Sequence, residues 1–122
     1  MTLSAVFLAA LGVTASFLPR EMLDQAGAAP GWFPELMIQH AGAAFLAFAV
    51  LNWAARGNML GGIYGRPIAL GNFAQFAIGA ITLLKNLSNV RDDPAMLVVT
   101  AGYSLFAVWF GAVLFGPGPA RP

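Results

Sequence analysis

The chain contains no cysteine, one histidine and few charges: of its 122 residues only 9% are Asp, Glu, Lys or Arg. Without cysteine there are no disulfides, thiolate metal sites, iron–sulfur clusters or cysteine nucleophiles. With His40 as the sole histidine, a histidine-rich metal site is excluded, and a haem held by two histidines would need the second from another chain. A net charge of +1 leaves no electrostatic footprint for nucleic acid. No Ser/His/Asp array or zinc spacing is visible, and the glycine-rich run 57–65 lacks the Lys-Ser/Thr of a phosphate loop and reads as a turn. The long apolar runs also lack a central carboxylate, the group that proton-coupled transporters commonly carry there. These absences argue against a membrane enzyme, since no base and nucleophile in reach of each other can be named.

What is present is apolar. Hydrophobic residues make up 59% of the chain and mean hydropathy is +0.75. A water-soluble domain carries about 25% charged residues; this chain could not cover a soluble surface. The expected fold is all-α, an integral membrane up-down bundle of four transmembrane helices in a single domain over residues 1–122. The predicted spans are 1–18, 34–55, 67–84 and 94–115, each near the length that crosses about 30 Å of hydrocarbon at 1.5 Å per residue. Pro19-Arg20-Glu21 closes the first run, Arg56-Gly57-Asn58 the second, Lys85 the third and Gly116-Pro117-Gly118-Pro119 the fourth. Pro34, Pro67 and Pro94 open three of them; proline suits the first helical position because its missing N–H has no helical partner there. Asp93 is a suitable N-cap. Ala26-Gly27-Ala28 has the small residues of a signal-peptide cleavage site, but no Lys or Arg precedes the first run, which therefore reads as a retained helix.

The expected setting is a cell inner membrane, spanned several times. Basic residues do not orient the chain by number: Arg56, Arg66 and Arg121 fall on one side, Arg20, Lys85 and Arg91 on the other. The 56–66 connection is purely basic, however, while Glu21, Asp24, Glu35, Asp92 and Asp93 all fall on the opposite side. Both termini are expected to be cytoplasmic. Trp32, Phe33, Trp53 and Tyr64 flank the spans, as aromatic residues do at membrane–water boundaries.

The third span carries the clearest pattern. Asn72, Gln75, Gly79, Thr82, Asn86 and Asn89 recur at alternating spacings of three and four, a heptad line on one helix face. Phe73, Phe76, Ile78, Ile81, Leu83 and Leu84 are left for lipid. Amides are costly against hydrocarbon, so the polar line is expected to meet protein, as interhelical hydrogen bonding, or to border a ligand-binding cavity. Small residues that let helices approach closely recur as Ala5, Ala9, Gly12 and Ser16 in the first span and as Ala101, Ser104, Val108 and Gly111 in the fourth; Gly42, Ala43 and Ala47 supply them in the second.

His40 is the one candidate cofactor ligand. Nothing in the sequence requires a cofactor, but His40 could hold a haem iron or a chlorophyll magnesium from one side; the plainer reading is a hydrogen-bonded polar residue near the interface. It points roughly 140° away from Glu35 around the helix, so the two are not an acid–base pair. Glu35 complements the helix dipole at the start of its span.

Leu51-Asn52-Trp53-Ala54-Ala55-Arg56, then Arg66-Pro67 and a polar third span with Gly71-Asn72, resembles uncharacterised small four-helix bacterial membrane proteins related loosely to the DoxX-like group. The resemblance covers about half the chain, the second and third spans, and implies no catalytic residue. The functional expectation is a non-catalytic accessory or assembly subunit of a larger membrane complex, respiratory or photosynthetic. Its partners would be the lipid bilayer and either another membrane protein or further copies of itself. The alternative is a small transporter or binding protein for a lipid, quinone or other hydrophobic molecule.

Overall fold

The computed structural model describes residues 1–58 and 62–117. Residues 59–61 of the glycine-rich run, and Gly118, Pro119 and Arg121 of the tail, lie outside the described residues. The described chain is all-helical, without strands: α1 (Thr2–Phe17), α2 (Pro19–Gln25), α3 (Trp32–Ala54) followed by a 3₁₀ turn (Ala55–Gly57), α4 (Gly65–Lys85), α5 (Leu87–Val90) and α6 (Pro94–Phe115). It divides into two compact units, Met1–Arg56 and Gly57–Pro122.

The helix ends follow from local chemistry. Asp93 caps α6 as expected, its carboxylate accepting from the amides of Ala95 at 2.9 Å and Met96 at 3.4 Å, with Pro94 at the first helical position. Pro34 and Pro67 stand two residues deeper than expected, because α3 starts at Trp32 and α4 at Gly65. Both remain within the first turn, where an N–H has no helical acceptor. Leu18 breaks the first helix. A residue before proline is pushed out of the α region, and Leu18 adopts φ −126°, ψ 46°. The chain then resumes as α2, bent 95° from α1. The expected closing turn at Pro19-Arg20-Glu21 is therefore the beginning of a second, short helix. Gly27 ends it with φ 67°, a left-handed conformation that glycine adopts without strain. The Gly27 amide donates to the Asp24 carbonyl and the Ala28 amide to the Leu23 carbonyl, which pairs two carbonyls the helix end leaves open.

Three stretches are long and apolar enough to cross a membrane: Trp32–Gly57, Gly65–Lys85 and Pro94–Phe115. The first predicted span falls short by itself. α1 has 16 residues, and reaches that measure only when joined to α2 across the bend.

The first unit is an antiparallel hairpin of α1 and α3: Ser4 meets Asn52, Gly12 meets Leu46 and Ser16 meets Gly42. A methyl group on Gly42 would stand 2.6 Å from Ser16 Oγ and 2.8 Å from its backbone nitrogen, and one on Gly12 would stand 2.9 Å from the Leu46 nitrogen. The two backbones come this close only because both positions lack a side chain. Ala5, Leu8, Gly12 and Ala15 are buried on α1, with Ala9 and Ser16 half-buried beside them. On α3 the buried positions are Gly42, Ala49 and Asn52, whereas Ala43 and Ala47, expected to pack, are exposed. Gly42, Ala49 and Asn52 form, with half-buried Ile38 and Phe45, a seam at spacings of four and three, the rhythm of left-handed helix packing.

The second unit is an antiparallel hairpin of α4 and α6, closed by α5. Phe76 is its centre. The ring is fully buried, stacked on Phe110 at 5.8 Å, tilted against Phe106 at 4.9 Å and edge-on to Tyr103 at 5.3 Å. This corrects the assignment of Phe76 to lipid; half-buried Phe73 likewise packs, edge-on to Phe115 at 5.5 Å. On α6 the packed residues are Thr100, Tyr103 and Phe110. Of the small-residue line expected there, Ser104 and Gly111 are half-buried, while Ala101 and Val108 are exposed.

Candidate functional site

The polar line of α4 divides in two. Asn72 is fully buried and its carboxamide donates to the Ile68 carbonyl at 2.9 Å. Gly79 is half-buried with the Tyr103 ring lying directly over it, and Gln75 Nε2 reaches the Tyr103 hydroxyl at 3.4 Å. Thr82, Asn86 and Asn89 are exposed. Thr82 Oγ1 and Asn86 Nδ2 bond back to the Ile78 and Thr82 carbonyls of their own helix, each at 2.9 Å. Ala69, Asn72, Phe76 and Ala80 make the packed face, which lies about 100° around the helix from the line through Gln75, Thr82 and Asn86 at 3.6 residues per turn. The heptad line therefore runs beside the packed face and meets it only at Asn72 and Gly79. Together these residues form one polar edge on an aromatic cluster.

The first hairpin contains a buried polar pair, Asn52 with Ser4, a pairing that the sequence does not announce. Asn52 Nδ2 donates to Ser4 Oγ at 3.1 Å, and Ser4 Oγ donates to the Met1 carbonyl at 2.8 Å; both residues are wholly buried. An amide buried without a partner is costly, and among the described residues no buried side-chain nitrogen or oxygen lacks one. The signal lay in the α3 seam, where Asn52 follows Ala49 by three.

His40 is exposed on α3. It lies about 200° around the helix from Ile38 of the packed seam, on the face turned away from α1. Among the described residues no three His, Asp or Glu side chains are grouped to hold a metal ion. At the far end of α3 the Arg56 guanidinium lies over the Trp53 ring, 4.4 Å from its centre, and donates to the Trp53 carbonyl at 2.7 Å.

A polar concavity sits at the other end of the first hairpin. α2 lays Pro19 and Leu23 inward, leaving Arg20 and Asp24 one turn apart on its outer side. Arg20 Nε donates to Glu35 Oε1 at 3.0 Å, joining α2 to the first turn of α3. Glu35 thus does more than complement the helix dipole. Arg20, Asp24, Pro30, Gly31, Trp32 and Glu35 line an open hollow of about 520 Å³. A second, more apolar hollow of about 380 Å³ lies in the other unit, among Ile63, Arg66, Pro67, Leu70, Leu114 and Phe115.

Neither a protein-family model, nor a curated protein, nor a solved structure matches the chain.

Proposed function

We propose that this is a small multi-pass membrane protein of the cell inner membrane, acting as a non-catalytic accessory or assembly subunit of a larger membrane complex. One observation carries the reading. The three stretches long enough to cross a membrane bury only 17%, 22% and 17% of their most apolar windows. α6 alone exposes Val98, Leu105, Val108 and Trp109, each by more than half. Apolar surface of this extent marks a membrane or protein contact. Hydrocarbon covers it without cost, and a partner membrane protein covers it with specificity. The polar side chains at the helix contacts are engaged in holding hairpins together, which suits a packing role better than a chemical one.

His40, on the outer face of α3, is where a neighbouring subunit's pigment or haem would be met in a respiratory or photosynthetic assembly. An absorbance spectrum of the gently purified protein tests that contact directly.

In this reading both termini face the cytoplasm, together with the basic Arg56–Arg66 connection. In Ala28→Cys and Asn58→Cys proteins, an impermeant thiol reagent applied from outside should label the first and spare the second. The reverse pattern overturns the orientation. Purification in a mild detergent tests the function itself. A co-purifying membrane protein in fixed ratio is the expected result, and a lone monomer from its native membrane refutes the accessory role.

A further inference from the structure

We infer that the hollow between α2 and the start of α3 binds the headgroup of an amine-bearing phospholipid, of the phosphoethanolamine type. The inference rests on the membrane reading above, which fixes the depth of the hollow. α2 turns 95° from α1, so if α1 runs across the bilayer, α2 lies along its surface. Trp32 and Phe33 stand beside the hollow, exposed by 78% and 55% and edge-on to each other at 5.6 Å. Exposed aromatic residues of this kind settle at headgroup level.

The chemistry of the lining then selects the ligand. Arg20 spends its Nε on Glu35 and keeps its side chain 73% exposed, so the remaining guanidinium N–H groups are open to a phosphate. Asp24 stands one turn further along the same face of α2, and no hydrogen bond or ion pair engages its carboxylate among the described residues. It is the natural acceptor for a primary ammonium, and the Trp32 face adds a cation–π contact. Phosphate and ammonium in one headgroup are a few bonds apart, and Arg20 and Asp24 at i and i+4 are neighbours on the helix surface. Two carboxylates against one guanidinium give the lining a net negative charge, which disfavours a lipid whose only charge is its phosphate. A choline headgroup matches the charges but offers no N–H to Asp24.

The test is native mass spectrometry of the full chain released from micelles containing equimolar palmitoyl-oleoyl phosphatidylethanolamine, phosphatidylcholine and phosphatidylglycerol. At least threefold more ethanolamine-lipid adduct than either competitor is expected. Asp24→Asn should abolish the preference, Arg20→Gln should lower the adducts of all three lipids, and Arg66→Gln, in the other unit, should leave the preference intact. Equal adducts of all three lipids, or a preference unchanged in Asp24→Asn, overturn the site. Binding of water-soluble glycerophosphoethanolamine as tight as that of the lipid overturns the assignment to a membrane lipid. Asp24 is exposed, so its variant keeps the fold, which far-ultraviolet circular dichroism checks. Insertion into vesicles, read as protection of α3, α4 and α6 from added protease, is scored separately. Full insertion without lipid preference refutes the site alone, and failure to insert refutes the membrane reading.

Discussion

The two hairpins share a plan and differ in what holds them. Each pairs two antiparallel helices through a connection containing a short helix, α2 in one and α5 in the other. The first brings backbones together at Gly12 and Gly42 and ties them with the Asn52–Ser4 hydrogen bond. The second fills its contact with large rings, Phe76 against Tyr103, Phe106 and Phe110. In lipid, where hydrophobic exclusion drives nothing together, association comes from close van der Waals contact and interhelical hydrogen bonds. Small residues achieve this by approach and aromatic residues by interlocking area. The first route fails when anything is added, and the second when anything is removed.

That contrast can be broken most forcefully at Phe76. Phe76→Ala deletes the ring on which three others rest and should destabilise the second hairpin by about 3–5 kcal/mol. Hydrogen exchange should show faster opening of α4 and α6 amides with those of α1 and α3 unchanged; equal acceleration in both hairpins contradicts the division. Gly42→Ala is the complementary experiment. One methyl group forced against the Ser16 backbone should cost about 1–3 kcal/mol, seen as a lowered thermal midpoint in detergent, whereas Ala43→Leu on the exposed side of α3 should leave that midpoint in place. Ser4→Ala removes the acceptor of the Asn52 carboxamide, for an expected loss of about 0.6 to 1.7 kcal/mol, from the average to the upper end for interhelical hydrogen bonds in membranes. Titration with a denaturing detergent resolves a difference of that size. Gln75→Leu should do least, below about 0.6 kcal/mol, because its bond to Tyr103 is long and half exposed. A larger loss in the same titration would place Gln75 among the main supports of the second hairpin.

Local chemistry was legible in the sequence. Asp93-Pro94 marks the start of α6 because an N-cap and a first-turn proline act within three residues, and Pro19 marks the end of α1 because a proline constrains the residue before it. Packing direction was less legible. The polar line of α4 has a real heptad rhythm, but a rhythm does not say which neighbour lies beyond it, and the packed face turned out to be centred on Phe76 instead. Phe76 was left for lipid because it stands off the polar line; its partners are some thirty residues away on α6, beyond the reach of periodicity. α2 was missed because Pro19-Arg20-Glu21 read as a closing turn. Its signals were nevertheless present: Pro19 and Leu23 four apart, then Gly27 where a left-handed cap belongs. The Arg20–Glu35 pair follows only once α2 is recognised as a helix lying against α3.

If the protein spans a membrane as proposed, the shortness of α1 makes bilayer thickness a variable for it. Its 16 residues extend about 24 Å, against about 35 Å for the 23 residues of α3 to which it is packed. Set in a hydrocarbon layer of about 30 Å, one limb of the hairpin is too short and the other too long. α3 can relieve its excess by tilting, but α1 ends at a fixed corner with charged Arg20 and Glu21 just beyond it. The surrounding lipid must thin locally or yield to a shorter-chained one, at a fraction of a kcal/mol for each ångström. On that membrane reading, the corner at Leu18 would bias the protein toward thin patches of membrane and toward neighbours that already thin the bilayer.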